Sequence, residues 1–233
     1  MNEFVLLLQS LDWSPLFITL KTAIVVTILS FFLGLFAAAK IMKTNKGWRA
    51  VLDGILTLPM VIPPTVVGFF LLLVFSMRRP VGAFLYDEFG LKVVQTWGAC
   101  VLAAFIIAFP MMYRNARAAF EQVDSDLIDA GRTLGMSDRA IFWKIIVPAS
   151  RPGIASGAIL AFARSIGEYG ATSMFAGNIA GKTGTIAQAI AYVLKDGDYA
   201  KAGVWVLIVM AISFVVILAL NLVINKKQIR RWK

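Results

Sequence analysis

The sequence predicts an all-α fold, a membrane-embedded bundle of about five transmembrane helices with one helical loop on the cytoplasmic side. Of the 233 residues, 59% are hydrophobic and only 15% are charged, and the mean hydropathy is +0.79. A soluble domain is about half apolar and a quarter charged. The apolar residues are also concentrated in blocks, with most Lys and Arg residues between them. These features are typical of a multi-span membrane protein, and we expect a single domain over residues 1–233.

The apolar blocks define the expected spans. Four of them are long enough, at 1.5 Å per residue, to cross a hydrocarbon core of about 30 Å. These four are Leu16–Ala39, Val51–Ser76, Pro152–Phe175 and Ala202–Ile224. A fifth block, Trp97–Met112, is shorter but uniformly apolar. The sequence therefore predicts five spans.

The positions of Lys and Arg predict the orientation, because cytoplasmic loops carry an excess of these residues. One set of loops and the C-terminal tail hold fifteen of them, whereas the opposite loops hold six. We therefore expect the N-terminus outside the cell membrane and the C-terminus in the cytoplasm. The net charge of +10 is carried by short loops between apolar blocks. It indicates topology-setting charge and contact with membrane lipid, and no nucleic-acid partner is expected.

Several classes of chemistry are disfavoured by composition. The single cysteine, Cys100, lies in an apolar stretch and cannot form a disulfide framework or a thiolate metal cluster by itself. The absence of histidine excludes a histidine metal site or general base. The first residues lack the positive n-region of a cleaved signal peptide. We expect no catalytic residue, no metal and no cofactor.

One segment, Ala176–Thr183, resembles a loose phosphate-binding loop. A functional loop of this kind begins with Gly and connects a buried strand to a helix whose N-terminus faces the phosphates. Here Ala176 replaces that Gly, a membrane helix precedes it, and the loop is expected on the outer face. We interpret the match as coincidental.

The cytoplasmic loop, Tyr113–Pro148, is unusually long and has a helical pattern. Val123, Leu127, Ala130 and Leu134 fall at the spacing of one face of an amphipathic helix. Gly135 can end that helix, and Ser137 or Asp138 can cap a second, short one. The second helix carries a large apolar tip, Ile141–Trp143, and exposed apolar patches usually mark an interface. The alternative is that this tip folds back on the bundle or the membrane.

The same loop resembles the signature of permease subunits of ABC importers. That signature reads Glu-Ala-Ala, three residues, Gly, nine residues, then Ile-x-Leu-Pro, and the spacing here matches throughout with Asp129, Gly131 and Val147 as departures. In that family the short helix after the Gly docks in a cleft of the ATPase subunit. The resemblance therefore implies an ATPase-coupling element formed by Asp129, Ala130, Gly131, Gly135, Ser137, Ile141, Phe142 and Pro148.

The fourth predicted span contains two charged residues, Arg164 and Glu168. Each charge at a bilayer centre costs at least about 2.5 kcal/mol, so such residues usually face a bundle interior or a water path. Their i, i+4 spacing allows them to pair on one helix face. An ion pair that fixes helix packing and a direct role in a conduit both remain open. Small residues at four-residue steps, Gly153, Gly157, Ala161 and Ser165, favour ordinary close packing over a dedicated gate.

The second predicted span carries Pro59, Pro63 and Pro64, each of which removes a backbone donor. A kinked or unwound helix is tolerated only where neighbours or a cavity satisfy the freed carbonyls, so this stretch is expected toward the bundle interior. Leu58–Gly68 and Ala161–Thr172 resemble motifs of molybdate permeases, and Gly177–Thr183 fits the loop that follows.

That resemblance covers about Leu16–Leu222 and implies a type I importer permease of the oxyanion branch. It implies an inward path for molybdate, or the nearly isosteric tungstate, along Arg164, Glu168, Tyr169, Thr172, Pro63 and Pro64. It also implies two ABC ATPase subunits, a second copy of the chain and an extracytoplasmic oxyanion-binding protein. A sulfate or thiosulfate importer shares much of the pattern. An ion-coupled secondary transporter and a non-transporting membrane scaffold are the alternatives from other classes.

Overall fold

The computed structural model describes residues 7–228, with side chains over residues 7–219 and at Leu222. The described residues form helices and loops without a strand, which confirms the predicted all-α class. The helices are α1 Ser14–Met42, α2 Lys46–Thr57, α3 Pro64–Phe75, α4 Pro80–Phe89, α5 Trp97–Glu121, α6 Ser125–Thr133, α7 Asp138–Ile141, α8 Arg151–Ile166, α9 Gly170–Phe175, α10 Ile186–Lys195 and α11 Tyr199–Gln228. A 3-10 turn follows α2 at Leu58–Met60, and a π-helical turn follows α7 at Phe142–Ile146.

Three unbroken helices are long and apolar enough to cross a membrane. They are α1, α5 and the first 21 residues of α11, Tyr199–Ala219. They coincide with the first, third and fifth predicted spans, which the structure confirms as helices. At 1.5 Å per residue, the 29 residues of α1 extend about 43 Å, more than a hydrocarbon core requires.

The helix of the third predicted span continues nine residues past Met112, into the segment predicted as the cytoplasmic loop. Helix α5 continues to Glu121, because Tyr113, Ala116 and Phe120 stay buried at helical spacing beyond Met112. The intervening Arg117 pairs with Glu121 one turn later, at 3.0 Å from Nε to Oε1. Residues 113–121, several of which are polar, therefore belong to α5, and one face of this part of the helix is buried in the core.

The second predicted span, Val51–Ser76, is not one helix. Helix α2 with its 3-10 turn meets α3 at an angle of 104°. The break falls at Pro63 and Pro64, where the chain lacks two successive N–H donors and α3 restarts with Pro64 at its first position. The predicted disruption by proline is confirmed, and the two helices together are apolar and long enough to form one broken span.

The fourth predicted span, Pro152–Phe175, is also divided. Helix α8 ends at Ile166, and the short helix α9 begins at Gly170 after three non-helical residues. Before α8, the helical segment Asp138–Ala149 meets it at 69°. That segment widens into a π turn just before Pro148, whose ring cannot fit a regular α-helical turn.

The core lies where α1, α5 and α8 pack together. Small residues set the closeness of this contact. A Cβ on Gly153 would lie 2.5 Å from the Cβ of Ala119, and one on Gly157 would lie 2.9 Å from the Cβ of Asn115. Both glycines belong to the small-residue stripe predicted on α8, and their structural role is tight helix packing.

Candidate translocation path and docking site

Glu168 occupies the break between α8 and α9, and its carboxylate is almost completely buried, with 2% of the side chain exposed. Its Oε1 accepts a hydrogen bond from the Ala171 N–H at 2.7 Å, in the first turn of α9. Its Oε2 lies 3.4 Å from Nη1 of Arg164. The same carboxylate therefore accepts a hydrogen bond from a backbone N–H at the start of α9 and faces the guanidinium of Arg164.

Arg164 lies in the last turn of α8, and its side chain is 30% exposed. A cation is favourable there because the helix macrodipole leaves partial negative charge at the C-terminus. The predicted Arg164–Glu168 pair therefore forms, but across a helix end rather than along one continuous helix. Its cation reaches solvent or lipid while its anion is enclosed.

Helices α3 and α9 touch through their backbones. A Cβ on Gly68 would lie 2.8 Å from both Cα and O of Ala171, and one on Gly170 would lie 3.0 Å from Cβ of Pro64. The proline break thus lies against the start of α9, which Glu168 caps. Sequence reasoning did not identify Gly68 and Gly170 as contact residues, although both glycines lie inside the two motifs quoted above.

The remaining predicted path residues are distributed around this junction. Thr172 is buried within α9, whereas Tyr169 is 38% exposed beside the break. Pro63 is exposed and Pro64 is half-buried. The structure brings Arg164, Glu168 and Ala171 into contact, and it brings Pro64 to Gly170.

The cytoplasmic loop contains the two predicted helices. Asp124 caps α6 by accepting a hydrogen bond from the Asp126 N–H. At its end, Gly135 has φ +74° and its N–H donates to Arg132 O, while the Met136 N–H donates to Gly131 O. This is a Schellman ending, which confirms Gly135 as the helix terminator. Ser137 caps α7, because its Oγ accepts from the Ala140 N–H at 3.3 Å.

The predicted apolar tip is only partly exposed. Ile141 is 2% exposed, and Phe142 is half-buried with its ring 5.5 Å from that of Phe120. Gly131 makes this inward packing possible, because its absent Cβ would lie 2.9 Å from Cδ1 of Ile145. The expectation that Ile141 and Phe142 project into water is wrong, and the fold-back alternative describes these two residues. Trp143 remains 66% exposed.

Leu127, Leu134 and Trp143 are the large apolar residues that stay exposed in this loop, and we call these three residues the docking surface. Their side chains are 52%, 80% and 66% exposed, respectively. Leu127 and Leu134 belong to the predicted amphipathic helix face, but that face is turned outward. Asp129 and Ala130 are also exposed, and Pro148 is half-buried.

A polar network that sequence reasoning missed joins α2 to α5. Asp53 binds both the Tyr113 hydroxyl and the Arg117 guanidinium, and Arg49 binds Glu121. Helix α2 has no buried residue. Its attachment to α5 therefore combines these charges with the half-buried Leu52 and Leu56, which pack against the core. The separation of the polar partners by 60 or more residues in the chain left no local spacing signal.

The loop that resembles a phosphate-binding loop has a different internal structure. The Thr183 hydroxyl accepts from the Ile179 N–H and donates to Gly177 O, and the residue is fully buried. Helix α9 precedes the loop, and the next helix starts only at Ile186. The hydroxyl that would face a phosphate is thus used inside the loop, consistent with a coincidental match.

Comparison with known proteins identifies the relatives of this chain. Residues 30–231 match the family model described as binding-protein-dependent transport system inner membrane component. The molybdenum transport system permease protein ModB of Escherichia coli K12 is 38% identical over 212 residues, covering 91% of this chain and 92% of that protein. The probable sulfate transport system permease protein cysT of Chlorokybus atmophyticus is 30% identical, covering 91% of this chain and 74% of that protein.

Solved structures show the same fold at low identity. A chain of the MetNI methionine ABC transporter, in an inward-facing conformation, superposes with a TM-score of 0.72 at 16% identity, covering 91% of this chain and 94% of that chain. A chain of a bacterial alginate ABC transporter, in complex with an alginate-bound periplasmic protein, superposes with a TM-score of 0.72 at 18% identity, covering 95% and 81%.

Proposed function

Because this chain belongs to the family of binding-protein-dependent transport system inner membrane components, we propose that it is the permease subunit of an ATP-driven importer that carries molybdate, or tungstate, into the cell. The observation that carries the cargo assignment is the 38% identity over 91% of the chain to a molybdenum permease. The sulfate relative is 30% identical over the same share of the chain. Sulfate is therefore the second candidate cargo.

We propose that two copies of the chain enclose the path, with the junction of α3, α8 and α9 facing it. The partly exposed Arg164 guanidinium supports this placement, because it is held by a buried carboxylate and directed toward the surface of a single chain. A conduit must release its cargo, so one weakly anion-attracting group per copy suits passage better than capture. Tight selection then falls to an extracytoplasmic oxyanion-binding protein.

The proposed ATPase contact is the docking surface of Leu127, Leu134 and Trp143. Exposed apolar patches on a loop mark an interface. The loop that carries these three residues is held in place, because α6 and α7 are both capped and Gly131 of α6 lies against Ile141 and Ile145. In this proposal Gly131, Gly135, Ser137, Ile141 and Phe142 position the surface. ATP is hydrolysed by two partner subunits in the cytoplasm, and the chain itself is not an enzyme.

The test is transport by the purified chain, reconstituted with its ATPase and binding protein in liposomes. We expect uptake of radiolabelled molybdate that requires ATP on the ATPase side and the binding protein on the other side. Competition with tungstate and sulfate identifies the cargo, and stronger competition by sulfate than by tungstate would favour the second candidate. Uptake driven by an ion gradient without ATPase would contradict the importer and indicate a secondary transporter.

A further inference from the structure

A groove runs between α1 and α5, starting at the end of α5 opposite the α6–α7 loop. It consists of two adjoining cavities that share Trp97. The upper cavity, about 500 Å³, combines the polar and cationic residues Lys21, Gln95, Thr96 and Lys182 with Phe17, Ile18, Trp97 and Gly181. The lower cavity, about 340 Å³, is lined by Val25, Leu29, Leu33, Trp97, Gly98, Val101, Leu102 and Phe105. The groove is therefore cationic at its mouth and apolar along its length.

The positive potential at the mouth has three sources. Lys21 and Lys182 both line it, and among the described residues neither ammonium lies within 4.0 Å of a carboxylate. The N-terminus of the 25-residue helix α5 opens there as well, since Thr96 caps it and Trp97 is its first residue. Helix N-termini favour anions. The mouth is complementary to a negatively charged group.

The groove walls at the mouth are held in place. Trp97 donates from Nε1 to the Thr22 hydroxyl at 3.0 Å, and the Lys21 ammonium lies 4.1 Å from the centre of its ring. Gln95 is the one non-glycine among the described residues with a positive φ, +61°. Strained backbone of this kind persists where surrounding structure imposes it, and it is concentrated at binding sites.

The length of the groove matches one leaflet of a bilayer. Twelve residues of α1 separate Lys21 from Leu33, or about 18 Å at 1.5 Å per residue. Half of a hydrocarbon core is about 15 Å. A tryptophan at the polar end is also typical of the level of the lipid headgroups. A molecule that fills both cavities would have an anionic head and an apolar tail of leaflet depth.

We propose that this groove binds one anionic glycerophospholipid, with its phosphate between Lys21 and Lys182 and one acyl chain in the apolar cavity beside Gly98. A free oxyanion would use the mouth but leave the apolar cavity empty. A second copy of the chain would need no cationic mouth. The combination of both halves selects a lipid, because its phosphate suits the cationic mouth and its acyl chain suits the apolar cavity.

Native mass spectrometry of the full-length chain in detergent tests this proposal, with phosphatidylglycerol and phosphatidylcholine of identical acyl chains as probes. We expect phosphatidylglycerol to bind at least roughly tenfold more tightly, and this preference to be lost in the double variant Lys21→Gln/Lys182→Gln. Gly98→Leu should weaken binding of both lipids, since its side chain enters the apolar cavity and a Cβ there meets only Thr96 Oγ1 at 3.5 Å. Lys92→Gln/Lys195→Gln is the charge-matched control and should keep the preference.

Three outcomes would overturn the proposal. The preference for phosphatidylglycerol could survive Lys21→Gln/Lys182→Gln. Millimolar molybdate or phosphate could displace the lipid while Gly98→Leu has no effect, which would indicate an oxyanion site. Gly98→Leu could change only the oligomeric state, which would indicate a contact between copies. None of these measurements needs the ATPase or the cargo, so they succeed or fail independently of the proposed transport function.

Discussion

Arg164 and Glu168 differ in burial, so loss of the one charge should affect stability differently from loss of the other. Glu168 is 2% exposed and Arg164 is 30% exposed. Removing Arg164 leaves a buried carboxylate without its cation, whereas removing the charge of Glu168 leaves a cation that solvent can reach. Loss of one partner of a fully buried pair costs about 3–5 kcal/mol, and an exposed pair contributes about 1 kcal/mol or less.

We therefore expect Arg164→Gln to destabilise the chain by about 1–3 kcal/mol, more than Glu168→Gln does. Glu168→Gln keeps an oxygen that can accept from the Ala171 N–H. The double variant should recover part of the loss of Arg164→Gln, because no charge is then left buried. Melting midpoints of the purified variants in detergent measure this order. A larger loss for Glu168→Gln than for Arg164→Gln would contradict the arrangement.

The spacing of these two residues predicts their pairing, but not the helix end between them. Gly167 and Gly170 are the only local hints, and isolated glycines occur within membrane helices as well. The end is determined by a distant contact, because Gly170 lies against Pro64 and Gly68 lies against Ala171. A single sequence does not reveal which glycines meet another backbone.

Helices α6 and α7 carry two kinds of apolar residue: some are exposed to solvent, and others pack within the loop and hold it together. Leu134 is 80% exposed, so Leu134→Asp should change the free energy of unfolding by no more than about 0.5 kcal/mol. It should nevertheless weaken binding of the ATPase subunit at least tenfold, because a charge replaces an apolar contact. Phe142→Asp should lower the melting midpoint as well, since its ring packs on Phe120.

Binding of the purified ATPase subunit to the immobilised permease measures the first effect. Leu91→Asp provides the matched control, because Leu91 is also exposed, at 56%, but belongs to the loop before α5 at its other end. Normal ATPase binding by Leu134→Asp, or equal loss in Leu91→Asp, would show that the docking surface is misplaced.

Asp53 links α2 to α5 through two side chains. Because Asp53 binds both Tyr113 and Arg117, Asp53→Asn should loosen α2 from α5. We expect faster hydrogen exchange over 46–57 by about tenfold, with little change in α5, measured by mass spectrometry in detergent or nanodiscs. Asp87→Asn, which changes an exposed carboxylate in α4, is the control. Unchanged exchange in Asp53→Asn would show that the network does not hold α2.

The elements show what amphipathic patterns can predict. The helices of the cytoplasmic loop and their caps follow from local signals, since Gly135 and Ser137 act within four residues of their partners. The direction of each apolar face does not follow. Ile141 and Leu127 are equally apolar, yet Ile141 packs on the chain itself and Leu127 is exposed to solvent. Apolar periodicity identifies the helix face that is buried in a contact. It does not identify whether that contact is with the same chain or with a partner.

At the scale of the whole molecule, the two ends of the bundle differ in charge and in structure. In the whole sequence, the loops and tail predicted on the side of α6 and α7 hold fifteen Lys and Arg residues, and the opposite loops hold six. The positive-inside rule then predicts that the docking surface lies in the cytoplasm and the loop before α10 outside. An ATPase partner requires this orientation, because ATP is a cytoplasmic substrate.

Cysteine labelling tests the orientation directly. Cys100 is fully buried, so an impermeant maleimide should not react with it in the folded chain. In intact cells made permeable only in the outer membrane, we expect Lys182→Cys to be labelled at once. Trp143→Cys, which is 66% exposed in the wild type, should be labelled only after the inner membrane is opened. Since both sites are exposed, a difference in labelling reports the side of the membrane rather than burial. The reverse order would place the docking surface outside, where it could not meet an ATPase.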